Sequence, residues 1–338
     1  MSSLLCKQRA LIQDQQRLIY PDICKFVAIL IVTCSHCAQC VSGQIWTNFL
    51  GGFQIDIAFN MPLFMLISGW FLNFEKLRST KFNNYIYSKF KRLIVPALSW
   101  YIIYCVVTIH RPDPLEAISF YWYLTALFIC DGIIFVSSRI IKNNSLCAVI
   151  STSFVLLCPH SDFVNINFMF PYLWAGYYFR KVLESSKPYL LNFIFTCSLL
   201  FGVLLSIRWT PEYTVYNCPF KILDLNYDML LTYVYRFSIG FSLAVLVLSI
   251  IKKWERTSFA YSLAKYGQQS LIIYTYSFVF NGILSKMLNY FNLHTNAICL
   301  LDLLSLVLCL FIVVISVTIY KEADKWPFAK LILLGNAG

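Results

Sequence analysis

The chain predicts an all-α, polytopic membrane bundle of about ten spanning helices. Three observations predict it. Hydrophobic residues make up 59% of the chain and charged residues only 13%. Mean hydropathy is +0.66. Apolar runs of about 20 residues, the length that crosses a ~30 Å hydrocarbon core, recur from end to end.

Spans are expected at 22–41, 52–73, 91–109, 120–138, 144–159, 163–180, 188–208, 228–250, 268–288 and 296–320. Residues 1–20, a cytoplasmic N-terminal segment in this reading, lack the short apolar core and small-residue cleavage site of a signal peptide. The first span is therefore expected to act as its own insertion signal. The third span is expected to start at a basic cluster, Lys89, Lys91 and Arg92, with Pro96 in its first turns. The sixth contains Asn165, Asn167 and Pro171 and is expected to be short, broken or re-entrant. Loops are short and no internal repeat is evident, so residues 1–338 read as a single membrane domain.

Lys and Arg fix the orientation. On these spans 21 of them fall on one side and four on the other, which places both termini in the cytoplasm, with 321–338 as a cytoplasmic tail. The net charge of +11 is thereby topological, and nucleic acid is not an expected partner. The thirteen cysteines are scattered, mostly within spans. Cys34, Cys37 and Cys40 drift around one helix and read as small apolar fillers, so no metal is expected. Cys40, Cys158 and Cys218 fall near the outer surface, where a disulfide is conceivable.

Polar residues at membrane depth mark the candidate site. Lys25 and His36 are eleven residues apart, very nearly three helical turns, so they share a face about 16 Å apart. An ionisable side chain that deep usually faces a polar cavity or pathway. Asp56 lies one turn into the second span, level with His36, and Asn60 follows one turn on. Asp56 is expected to orient His36 as a general base, against the plainer reading of a hydrated interfacial carboxylate. Arg236 lies near mid-membrane and needs an anion; Asp56, Asp131 and Asp302 are candidates, and a locking ion pair and a substrate contact stand as equal readings. Tyr121, Trp122 and Tyr123 open the fourth span, either as an interfacial aromatic belt or as a platform for sugar rings. Lys89, Lys91 and Arg92 either set topology or form a phosphate site at a helix start.

These motifs, in this order, resemble the integral-membrane acyltransferase family (acyltransferase type 3 group), which includes O-acetylases of lipopolysaccharide, capsule and other surface glycans. Asp22, Lys25 and His36 are similar to its Asp-x-x-Arg/Lys motif followed by histidine after ten residues. Met61-Pro62-Leu63-Phe64 with Ser68-Gly69-Trp70-Phe71, Lys91-Arg92 to Pro96, Trp122-Tyr123-Leu124, Pro171 to Gly176-Tyr177, and Gly267-x-x-Ser270-Leu271-x-Ile273-Tyr274 resemble its later segments. Lys25 stands where arginine is frequent, and Asn60 and Ser277 stand where relatives carry histidine.

The resemblance implies an O-acyltransferase, most often moving acetyl from cytoplasmic acetyl-CoA to a sugar hydroxyl of a surface polysaccharide or its lipid-linked precursor, in a bacterial inner membrane. Within that reading His36 and Asp56 are the expected catalytic pair. Lys25, Lys89, Lys91 and Arg92 would hold the coenzyme, and Asn60, Ser68, Tyr121, Trp122, Tyr123, Arg236 and Tyr274 would face the acceptor. The bilayer, acetyl-CoA and a carbohydrate are the expected partners, with a homo-oligomer left open. The alternative is a transporter or exporter, since buried charges also mark permeation pathways.

Overall fold

A computed structural model describes residues 19–44, 55–159, 161–185, 188–210, 227–255 and 257–335. The described residues form helices joined by short turns, without strands. Among the described residues, seven helices are long and apolar enough to cross a bilayer. They are α1 (Tyr20–Ser42), α4 (Phe82–Thr108), α6 (Trp122–Ile140), α9 (Pro188–Ser206), α10 (Tyr227–Trp254), α12 (Ser270–Phe291) and α13 (Ile298–Asp324). The shorter or less apolar α2 (Asp56–Trp70), α7 (Asn144–Leu157) and α8 (Ile166–Ser185) fall on the remaining expected spans. Four further helices are α3 (Phe74–Ser79), α5 (Pro114–Phe120), α11 (Ser258–Gln268) and α14 (Pro327–Leu334). Lys7, Arg9, Arg17, Lys187, Lys221, Arg256 and Cys218 lie outside the described residues. Cys40 and Cys158 are both free thiols.

The break expected at Pro171 in the sixth span is absent, for a physical reason. Proline removes a backbone donor and so frees the carbonyl four residues back; in a membrane that carbonyl needs another partner. Helix α8 runs 20 residues through Pro171, and the freed Asn167 carbonyl accepts the Tyr233 hydroxyl at 2.9 Å. Helix α8 is therefore unbroken at Pro171, and the expected span is interrupted only at its start, where Val164 and Asn165 take left-handed conformations ahead of Ile166. The same device recurs in α2. There Pro62 frees the Ala58 carbonyl, and Asn60 Oδ1 accepts from the Met61 amide at 2.6 Å. The Arg236 guanidinium donates to both carbonyls, to Ala58 at 2.6 Å and Ile57 at 2.8 Å.

Pro96 acts differently. Instead of opening a helix, it follows a π-helical turn, Phe90–Ile94, inside the continuous α4. The widened turn absorbs the missing Pro96 amide. The basic cluster thus lies two turns inside a helix and has no exposed helix N-terminus to draw on.

Close helix crossings hold the centre. A Cβ on Gly69 of α2 would sit 1.8 Å from the Leu173 carbonyl oxygen of α8, and one on Gly176 would sit 1.9 Å from that of Leu66. The two backbones touch through reciprocal glycines, as packing between membrane helices favours.

Candidate functional site

One side of the bundle gathers cations. There Lys25 of α1 lies over the Phe71 ring at the end of α2, Arg180 of α8 donates to the Trp70 carbonyl, and Lys252 of α10 lies over the Tyr20 ring. This side is called here the basic end. A cavity of about 220 Å³ opens there. Lys25 and Arg92 of α4 stand in its wall with Ser68, Tyr123 and Tyr274. Residues 267–272, the junction of α11 and α12, form another side. Gly267 makes that junction possible, because a Cβ there would fall 1.7 Å from the Asp22 carbonyl oxygen of α1. The first turn of the 22-residue α12 therefore lies on the cavity, where its free amides favour an anion. Gln269 Oε1 is buried beside it, without a hydrogen-bond partner among the described residues. Lys25 Nζ is 3.1 Å from Asp22 Oδ1.

The basic cluster divides. Arg92 lines the cavity, whereas Lys89 makes a 2.6 Å ion pair with Asp131 and Lys91 lies over the Tyr87 ring. Asp131 is thus committed to Lys89, and Arg236 finds backbone carbonyls. The Arg236 side chain is fully buried, its guanidinium against the rings of Phe168 and Trp209, away from the cavity wall. Asn60 is likewise buried beside the Pro62 break instead of lining the cavity.

Tyr121 and Tyr123 are buried, and Trp122 is half-buried. Helix α5 leads the chain inward, so that Tyr121 is fully buried and donates to the Thr275 carbonyl at 2.8 Å. The Tyr123 hydroxyl stands 3.4 Å from Ser68 Oγ, at the opposite end of α2 from Asp56. Tyr121 and Tyr123 belong to the interior, and Tyr123 roofs the cavity. Pattern reading missed this because Tyr-Trp-Tyr at a span end looks alike in both settings.

His36 is half-buried and its ring packs at 4.8 Å on Phe278. Its Nδ1 is 3.1 Å from Gln39 Oε1. With the amide oxygen turned toward the ring, a proton on Nδ1 satisfies this contact, and Nε2 is then the basic nitrogen. Gln39, one turn along α1, stands beside the ring in the place expected of Asp56, and the Asp56 carboxylate accepts from the Ser35 hydroxyl. Gln39 at i+3 is a neutral polar residue, a weaker signal in a sequence than the charge of Asp56.

His36 does not reach the cavity wall directly. Tyr274 lines the cavity, and Phe278 lies one turn further along α12. Their rings are 5.3 Å apart, and Tyr121 packs against both. One layer of aromatic side chains separates the cavity from His36.

A family model described as an acyltransferase domain, Acyl_transf_3, matches residues 18–321, and so covers every element described above except α14 and the last turn of α13. Nodulation protein NolL of Sinorhizobium fredii (strain NBRC 101917 / NGR234) is 24% identical over 216 residues, covering 58% of each chain. The chain therefore spans a little over half the length of that relative. No solved structure matches. With several helices long and apolar enough to cross a bilayer and a match over most of its length, the chain belongs to the Acyl_transf_3 family, whose model is described as an acyltransferase domain, and is a multi-pass membrane protein.

Proposed function

We propose that the protein is an O-acetyltransferase of a bacterial cytoplasmic membrane, taking acetyl from acetyl-CoA at the basic end and passing it to a hydroxyl of a surface polysaccharide or its lipid-linked precursor. The observation that carries this reading is the convergence of Lys25, Arg92 and the first turn of α12 on one cavity. Two cations and a helix N-terminus suit the phosphates of coenzyme A, and Gln269 and Ser270 add neutral polar groups to the same wall. At about 220 Å³ the cavity takes only a portion of the coenzyme, so the rest would extend from its mouth.

In this reading the thioester arm passes the aromatic layer, with Tyr274 and Phe278 turning aside, and meets the acceptor at His36. The Nε2 atom takes the proton of the acceptor hydroxyl as its oxygen attacks the thioester carbonyl. The carbon–sulfur bond then breaks, and the imidazolium returns the proton to the coenzyme thiolate. Gln39 keeps the ring in the required tautomer throughout. Orientation follows the positive-inside bias, with the basic end and both termini in the cytoplasm.

The test is transfer of radiolabel from acetyl-CoA to glycan in membranes carrying the protein. Lys25→Glu combined with Arg92→Glu is expected to raise KM for acetyl-CoA by more than about tenfold, since each charge-assisted contact is worth about 1.5–3 kcal/mol. An unchanged KM would remove the donor site from this cavity. Wild-type membranes that label no glycan would remove the acceptor class.

A further inference from the structure

We propose that the C-terminal helix α14 is a positioning element of the cavity, and that Gly335 at its end sets the place of Arg92. The proposal rests on the donor reading above. Arg92 is exposed and makes no side-chain hydrogen bond or ion pair with a described residue, so its place is set through its backbone.

That backbone is held from outside α4. Gly335 has φ +66°, and a Cβ on it would fall 2.5 Å from the Arg92 carbonyl oxygen and 2.8 Å from the Arg92 Cα. These are main-chain atoms, which cannot rotate away as a side chain would. They also belong to the π turn, where α4 is already widened ahead of Pro96. Glycine meets both demands at once, the left-handed conformation and the close approach.

Two further contacts fix α14 in this position. Trp100 Nε1, on α4, donates to the Leu333 carbonyl at 3.1 Å, and Lys330 Nζ pairs with Asp324 Oδ1 at 2.9 Å. Leu334 completes one side of the cavity. The segment expected as a plain tail is thus a wall of the site, and the family match ends at residue 321, before it begins.

The test uses the full-length protein in nanodiscs, with KM for acetyl-CoA and kcat measured separately. Gly335→Ala is expected to raise KM by about five- to twentyfold while kcat stays within about twofold, the pattern of lost binding shared by ground and transition states. Combined with Arg92→Gln, it should add nothing further to KM, because both changes remove the same contact. Trp100→Phe, which loosens α14 without a clash, should raise KM in the same direction and covers the case in which Gly335→Ala does not fold.

An unchanged KM in both Gly335→Ala and Trp100→Phe would overturn the proposal. So would effects of Gly335→Ala and Arg92→Gln that multiply. If Arg92→Gln by itself left KM unaltered, the donor reading would fall, and this proposal with it.

Discussion

Replacing His36 with glutamine is expected to lower kcat for acyl transfer by about 10²- to 10⁴-fold, the usual contribution of a positioned general base. Glutamine keeps a polar side chain of similar reach against Phe278 but has no nitrogen that can accept a proton at neutral pH. KM for the donor should change little, because the cavity wall does not include His36. His36→Ala should lose at least as much activity. Gln39→Ala, which frees the tautomer without removing the base, should be milder than either. The measurement is initial rate at saturating acetyl-CoA, with protein quantified in the same membranes. A near-normal rate in His36→Gln would mean that the proton leaves by another route.

Replacing Arg236 with methionine is expected to cost about 2–6 kcal/mol of stability, since each buried carbonyl left without a donor costs about 1–3 kcal/mol. The two carbonyls are those of Ile57 and Ala58, and Pro62 leaves the Ala58 carbonyl no amide of its own helix four residues on. Arg236→Lys should recover part of the loss, because an ammonium reaches one carbonyl more readily than two. Tyr233→Phe removes one neutral hydrogen bond to Asn167 and should cost about 1 kcal/mol. Thermal unfolding in detergent reads all three. An Arg236→Met protein that melts like the wild type but transfers no acyl group would assign the guanidinium to substrate instead.

Much of the architecture was legible because its signals are strong and local. Apolar runs of bilayer length marked the spans, and the Lys25–His36 spacing placed both residues on one helix. The failures share a cause. Pro171 looked like a break because the donor that compensates it is distant in sequence: Tyr233 lies 66 residues from the Asn167 carbonyl it serves. Pro96 looked like a helix start because a π turn leaves no mark in a run of apolar and basic residues. Tyr121 to Tyr123 looked superficial because nothing in their own segment shows that α5 leads inward. Asp56 was placed at the right level, but a choice between Ser35 and His36, neighbours on one helix, depends on rotation about its axis. Lys89, Lys91 and Arg92 are alike in sequence, and the π turn separates their directions.

The proline-freed carbonyls bear on how the protein is made. Helices α2 and α8 leave the ribosome well before α10, which brings both Arg236 and Tyr233. Until α10 enters the bilayer, those carbonyls face lipid or a chaperone without a lasting partner. Helix α10 would act as a late-arriving strut, and a nascent chain cut short before residue 227 is expected to be handed to membrane proteolysis instead of persisting half-built.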